Sequence, residues 1–299
     1  MKKTEQNNLI IGCLCALGCE TIFGLSYIFT KKATSLASEF SLLGWRFFIS
    51  TLIMSILIMI GFIKVNLKGK PIKPLLFVAL FNPCVYFIGE TIGISNTTAS
   101  ESGVFLACIP VASLVASTFI LKEKPSKIQT IGILITLLGV MVTVFAVGAS
   151  TSLSFIGYAF LAIAVISYAL YSVFVEKASD YTETEITYIM LLIGAIVFGT
   201  VAICEALING NIVELITLPF KEKDFAVAIL YQGIGSSILA FLLSNMAISK
   251  IGVNRTSSFI GVSTVVSIAA GAFLLKETFT IYQIIGAIII IIGIYTANK

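Results

Sequence analysis

The feature that most constrains this chain is a succession of long apolar runs broken only by short, charged joints. A run of roughly 20 apolar residues lets a helix cross the hydrocarbon core of a bilayer. Such runs recur about ten times, over residues 9–30, 40–63, 75–96, 103–121, 128–147, 155–175, 186–208, 225–248, 257–275 and 281–296. The joints carry the charges and helix breakers: KVNLKGKPIKP after the second run, LKEKPSK after the fourth, EKASDYTETE after the sixth. Composition agrees. Of 299 residues, 58% are hydrophobic and 11% charged, whereas a soluble domain carries about 25% charged residues. No soluble core of this length would bury so much apolar surface. The pattern predicts an all-α integral membrane protein with about ten transmembrane helices, consecutive ones mostly antiparallel.

Several function classes drop out at once. The net charge of +4 is spread without a basic cluster, so no nucleic-acid partner is expected. Cys13, Cys15, Cys19, Cys84, Cys108 and Cys204 all lie in apolar runs, at spacings that match no metal or redox motif. There is no histidine, so no metal site is expected. The sequence contains no phosphate-binding G-x-x-x-x-G-K-[ST], no HExxH and no GxSxG. Neither an enzyme nor a cofactor is therefore expected, and any energy the chain uses must come from a gradient. MKKTEQNN could open a signal peptide, but the apolar run after it is too long and holds Glu20. It is read as a retained first span.

Lys and Arg set the orientation. With the N-terminus in the cytoplasm, Lys64, Lys68, Lys70, Lys73, Lys122, Lys124 and Lys127 all fall inside, and only Lys31, Lys32, Lys221, Lys223 and Lys276 fall outside. Both termini are expected on the cytoplasmic side of the cell membrane. Most of the bias comes from the first half.

The chain also repeats itself. FILKEKPSKIQTIGILITLLGV, from Phe119, aligns without gaps with FLLKETFTIYQIIGAIIIIIGI, from Phe273, a shift of 154 residues. Lys122/Lys276, Glu123/Glu277, Gln129/Gln283, Gly132/Gly286 and Gly139/Gly293 coincide. A weaker echo links YIFTKKAT, from Tyr27, with SVFVEKAS, from Ser172. The halves, 9–147 and 155–297, hold about five spans each. An odd number turns the second copy upside down, giving two inverted five-helix repeats, an architecture of secondary transporters with the solute site between the halves.

Two such halves, each with an apolar span ending in Leu-x-Glu before a Gly-bearing span, resemble the drug/metabolite transporter superfamily, EamA type. The residues that carry the resemblance are CIPVASLVASTFILKEKPSKIQTIG, FIGVSTVVSIAAGAFLLKETFTIYQIIG, Gly24 and Trp45–Phe47. It departs from the pattern at Thr264, the counterpart of Pro110, and at Phe23-Gly24, where Trp-Gly is usual. The resemblance implies an inner-membrane carrier or exporter of amino acids, metabolites or drugs, and names no one solute.

Glu20, Arg46 and Glu90 are ionisable residues set well inside their spans. A charge at such depth costs about 2.5–3.5 kcal/mol and almost always faces the bundle interior. Arg46 is read as a structural ion-pair partner of one glutamate, which one being open. The other carboxylate would be poised to take up a proton or to meet an amine-bearing solute. Asn82, Tyr86 and Glu90 recur every four residues, so they share a helix face. The shift of 154 carries them to Ser236, Ala240 and Ser244, and Gln232 extends that stripe. Tyr168 and Tyr171 are candidate walls, and Pro110 is expected to kink its helix. Glu20, Glu90, Asn82, Tyr86, Gln232, Ser236, Ser244, Tyr168 and Tyr171 form the expected solute or proton pathway. Its partners are a small-molecule solute, the lipid bilayer and the proton as candidate coupling ion. The expected function is export of a small metabolite, amino acid or drug-like solute by alternating access. The alternatives are a passive channel and, behind it, an intramembrane enzyme.

Overall fold

The computed structural model describes residues 2–97, 105–145, 154–275 and 280–298. Among these residues every regular element is helical. In chain order the helices are α1 (Lys2–Thr34), α2 (Glu39–Met59), α3 (Lys73–Ser95), α4 (Phe105–Leu121), α5 (Lys127–Phe145), α6 (Phe155–Lys177), α7 (Glu183–Ile208), α8 (Ile212–Lys221), α9 (Lys223–Ser258), α10 (Ile260–Leu275) and α11 (Ile281–Ala297). Among the described residues six of them, α1, α2, α3, α6, α7 and α9, are long and apolar enough to cross a membrane. Four more, α4, α5, α10 and α11, are apolar but shorter.

Local chemistry sets several boundaries. Ser38 caps α2 by accepting the Ser41 N–H at 3.1 Å. Thr182 and Glu185 form a reciprocal capping box at the start of α7, and Thr280 and Gln283 form another at α11. The eighth and ninth predicted spans run closer together than the apolar pattern suggests. They meet at Gly252, where φ is 77° and ψ is 169°, a conformation open to glycine. The break frees the Val253 N–H, which donates to Glu176 at 2.7 Å. The short α8 is not foreshadowed by the apolar runs, because Glu214 and Lys221 dilute them. It is amphipathic, with Val213, Ile216 and Phe220 exposed and Leu218 buried.

Four antiparallel helix pairs build the body. In α1 and α9, Gly12 meets Ile251 and Gly18 meets Leu243. In α3 and α6, Gly157 meets Thr97, Gly93 meets Leu161 and Gly89 meets Ala164. In α2 and α7, Gly44 meets Ala202 and Gly194 meets Phe47. In α5 and α11, Gly132 meets Ala297, Gly139 meets Ile290, Gly286 meets Thr143 and Gly293 meets Thr136. Small residues at these crossings let backbones approach where no hydrophobic force drives helices together.

The contacts obey the sequence repeat. Adding 154 to Gly132 and subtracting 154 from Ala297 turns that pair into Gly286 and Thr143, which also touch. The same operation turns Gly139–Ile290 into Gly293–Thr136. Between the other pairs, Gly12–Ile251 maps onto Gly157–Thr97, with the 145-residue shift of the Tyr27/Ser172 echo serving α1 and α6. Gly199 of α7 stands in the open, with nothing within 4 Å of where a Cβ would stand. The main core lies among α2, α3, α6, α7 and α9, around Phe47, Tyr171, Met190, Phe198 and Phe241. Large apolar side chains such as Leu14, Phe48, Leu138, Ile166 and Ile291 remain bare on the outside, as a lipid-facing surface requires.

Candidate functional site

The two helices expected to carry polar stripes are also irregular. In α3, residues Leu80–Val85 form a π-helical stretch, and Asn82 leaves helical geometry (φ −142°, ψ 117°) before a cis bond to Pro83. In α9, Tyr231–Leu239 form another π-helical stretch. The shift of 154 carries residues 80–85 onto 234–239, inside that stretch. Both counterparts thus widen at one place in the repeat, and π-helical turns occur frequently at functional sites. Asn82 Oδ1 and Ser236 Oγ, themselves 154 apart, are buried with no hydrogen-bond partner. Pro83 was the available sequence signal for the first break. Nothing comparable marks the second beyond Gly233 and Gly235.

One turn beyond the α3 break, Tyr86 Oη donates to Glu90 Oε1 at 2.8 Å. The Tyr86 ring meets Tyr168 edge-on at 5.6 Å between centroids, and Tyr168 meets Tyr171 likewise at 5.5 Å. Tyr171 Oη donates to Asn245 Oδ1 at 2.8 Å and lies 3.3 Å from Ser244 Oγ. Asn245 Nδ2 donates in turn to Thr187 Oγ1 at 2.9 Å. These bonds tie α6, α7 and α9 together behind the tyrosines. Tyr86, Glu90 and Tyr168 keep part of their surface exposed.

Glu20 approaches the same cluster from α1. It is 6% exposed, faces Ser263 of α10, and acts electrostatically on Tyr86, Tyr168 and Tyr171. Its position is fixed by close packing, since a Cβ on Gly24, one turn on, would lie 2.7 Å from Ser263 O.

Arg46 is buried beside the cluster, and its partners differ from the expected ion pair. Nε donates to Ser237 Oγ at 2.7 Å and Nη2 to Ser236 O at 3.4 Å. The guanidinium carbon stands 4.8 Å from the Phe87 ring centroid and 5.3 Å from that of Phe47. Among the described residues Arg46 makes no ion pair within 4.0 Å; Glu90 acts on it across a longer gap. The physical reason is local. The π-helical stretch of α9 turns Ser236 O and Ser237 Oγ toward Arg46, and aromatic faces hold the rest of its plane.

One expected pathway residue, Gln232, stands apart. Gln232 donates from Nε2 to Thr30 Oγ1 and to Ser26 O, and its Oε1 has no partner. Thr30 is ten residues beyond Glu20, about 15 Å along the helix. Pro110 lies in the first turn of the segment Ile109–Ala116, behind a turn at Cys108, so α4 is interrupted just before the proline. Ser237, Asn245, Ser263 and Phe87 join the site without having been singled out as pathway residues. Only Asn245, a lone amide in an apolar run, carried a sequence signal.

Comparison with known proteins fits this organisation. A family model described as the EamA-like transporter family matches twice, over residues 10–145 and 155–299. The chain belongs to that family. The uncharacterized transporter YcxC of Bacillus subtilis (strain 168) is 33% identical over 279 residues, covering 93% of this chain and 89% of that protein. The uncharacterized transporter YyaM of the same organism is 24% identical over 290 residues, covering 94% and 92%. A crystal structure at 16% identity has a TM-score of 0.76 and covers 97% of both chains, which supports the fold alone. In this EamA-like transporter the two matched segments meet at the polar cluster. The first supplies Glu20, Arg46, Tyr86 and Glu90; the second supplies Tyr168, Tyr171, Ser236, Ser244 and Ser263.

Proposed function

We propose that this transporter is a secondary carrier of a small polar or amphipathic solute, working as an exporter by alternating access. Ten crossings form two inverted five-helix halves, with both termini on the cytoplasmic side of the cell membrane. Glu20 and Glu90 receive the solute or the coupling proton, and Tyr86, Tyr168 and Tyr171 shape the site.

The observation that carries this reading is the symmetry of the contacts. Gly132–Ala297 with Gly286–Thr143, Gly139–Ile290 with Gly293–Thr136, and Gly12–Ile251 with Gly157–Thr97 are three sets exchanged by the repeat shifts. Each unit packs on the other through equivalent seams. Exchanging the conformations of the two units therefore produces a second state of similar energy, with the site open to the opposite side. The polar cluster lies where the units meet, so it is reachable in both states. The breaks in α3 and α9 give each unit a joint at the depth of the cluster.

The test compares the solutes of medium and cytosol in matched cells making the intact protein, Glu20→Gln, Glu90→Gln, or no protein. The expected result is one solute moved outward by the intact protein and by neither variant. If no solute differs between cells with and without the intact protein, the carrier reading fails. If both variants export as the intact protein does, with unchanged pH dependence, the assigned site fails.

A further inference from the structure

Resting on the carrier reading, we infer that Glu123 and Glu176 form a proton-dependent latch that closes the cytoplasmic side of the molecule. The latch grips the break at residues 252–254 while the two carboxyl groups share a proton, and lets it go when both are charged.

Both carboxylates converge on that break, one from each half. Glu176, in the last turn of α6, accepts the Val253 N–H on Oε2 at 2.7 Å. Its Oε2 and Oε1 stand 3.5 and 3.7 Å from where a Cβ on Gly252 would lie. Glu123, just beyond α4, accepts Asn254 Nδ2 on Oε2 at 3.3 Å. Asn254 Oδ1 accepts in turn the Ser117 hydroxyl of α4 at 2.8 Å. Ser117 and Glu123 belong to the first matched segment, Glu176 and Asn254 to the second. These bonds therefore tie the halves together. They do so beside the joints that the lysine pattern assigns to the cytoplasm, so a passage opening on that side has to part them.

The backbone is shaped for this tie. Lys122 lies in the left-handed region, at φ 58°, and is the one non-glycine residue with a positive φ among the described residues. Such a conformation persists where surrounding contacts impose it. The turn at Lys122 ends α4 and precedes the reach of Glu123 to Asn254. The turn at Gly252, at φ 77°, offers the Val253 N–H to Glu176. Two left-handed turns, one in each half, thus meet through two carboxylates.

The pairing of two acids makes the tie sensitive to protons. Glu123 acts electrostatically on Glu176. Two neighbouring carboxylates repel when both are ionised, and one shared proton removes that repulsion. The elements packed on the end of α6 bring other charges: Lys73 of α3, Lys122 and Lys124 beyond α4, and Lys250 and Arg255 of α9. Lys177 follows Glu176 in sequence, and Glu183 of α7 is engaged by Ser249 Oγ at 2.9 Å. Among the described residues no lysine or arginine makes an ion pair with Glu123 or Glu176 within 4.0 Å, so neither acid is neutralised by contact. A cleft of about 350 Å³, lined by Glu123, Lys124, Gln129, Gly252, Asn254 and Arg255, gives protons a way to and from the pair. The closed form holds one proton more than the open form, in which the separated acids are both ionised near neutral pH. Closure is therefore favoured on the acid side and weakens as pH rises through the titration of the pair. The repeat shifts of 154 and 145 carry Glu123 to Glu277 and Glu176 to Lys31. Glu277 lies outside the described residues, but the sequence alone makes these counterparts an acid and a base, a combination that needs no proton.

Hydrogen–deuterium exchange of the purified full-length protein, read by mass spectrometry, tests the latch through the Val253 amide that Glu176 holds. Exchange of the segment 249–258 is followed between about pH 5.5 and 8.5, each rate being corrected for the pH dependence of free amides. Its protection factor is expected to fall about tenfold or more as pH rises, the change produced by a one-unit pKa difference between closed and open forms. In Glu176→Gln the side-chain oxygen still accepts the Val253 N–H and the charge is gone, so protection should stay level over the same range. Glu123→Gln should behave alike. The α5–α11 seam, read in the segment 286–294, should keep one protection factor throughout, which separates the latch from general loosening. Level protection of 249–258 in the intact protein overturns the proposal. So does an equal fall in the seam, or a variant that keeps the whole response. The intact protein alone gives the first two results, so a variant that does not fold does not block the test. None of these outcomes touches the carrier reading, which fails in the medium–cytosol comparison if no solute differs.

Discussion

Close packing between repeat-equivalent helices makes a quantitative prediction at Gly286. A Cβ at this position would stand 2.7 Å from Gly139 O and 2.9 Å from Thr143 N. These two obstacles are backbone atoms, beside the Thr143 Cγ2 methyl at 2.4 Å, so a rotamer change of Thr143 alone does not relieve them. Ordinary contact begins near 3.4 Å, so α5 and α11 must move apart by about 0.5–0.7 Å over part of their seam. Overpacking of this kind costs about 1–3 kcal/mol. Set against it is the gain of alanine over glycine in a helix interior, about 0.5–1 kcal/mol. Gly286→Ala should therefore destabilise the protein by about 1–2 kcal/mol net. Gly199→Ala is the matched control. Nothing lies within 4 Å of its Cβ position, so it should only gain, by about 0.5–1 kcal/mol. The two variants are then separated by about 2 kcal/mol, or about 4–8 °C in Tm. Thermal unfolding of the purified protein, followed by tyrosine and tryptophan fluorescence, measures this difference. If Gly286→Ala melts with or above Gly199→Ala, the α5–α11 seam is not packed as described, and the symmetry argument loses its best-fitted element.

Other outcomes follow from single contacts. Glu185 is buried, receives Lys70 Nζ at 2.7 Å, and accepts the Asn66 and Thr182 N–H groups at 3.1 and 2.9 Å; Glu185→Ala should lower stability by about 1.5–3 kcal/mol, read as a drop in Tm. Arg46→Lys should lose export, because an ammonium on a shorter reach cannot both donate to Ser237 Oγ and Ser236 O and keep a guanidinium's contact with the Phe87 ring; wild-type export by this variant would refute that role. A fluorescent protein fused after Lys299 should mature, and alkaline phosphatase fused there should stay inactive; the reverse pattern would refute the cytoplasmic C-terminus.

Much of the architecture was readable from the chain because lipid imposes a simple rule. Every backbone group must be satisfied within its own segment, so apolar runs of sufficient length become helices, and each of the ten expected runs is mostly helical where described, the run 40–63 ending its helix at Met59. The repeat was legible too, because Leu-Lys-Glu, Gln and paired Gly recur at one shift. The inward placement of Glu20, Arg46 and Glu90 followed from the cost of charge in hydrocarbon. Helix irregularity was harder to read. Asn82, Tyr86 and Glu90 look like one stripe at regular 3.6-residue spacing, but the π-helical stretch Leu80–Val85 changes the register between Asn82 and Tyr86. The same change in α9 separates Gln232 from Ser244.

What the sequence determined by itself is the solvent, the helices and the twofold pattern, since each depends on local composition and spacing. What only the tertiary structure decided is which groups touch. Arg46 has two carboxylates of opposite charge within its bundle and contacts neither, because Ser237, the Ser236 carbonyl and Phe87 reach it first. Those partners lie 190 residues away or on another helix, and they face Arg46 only because α9 widens at that depth. Hydropathy fixes how deep a side chain lies, while the identity of its neighbour depends on helix rotation and register, which are set by packing across the whole bundle.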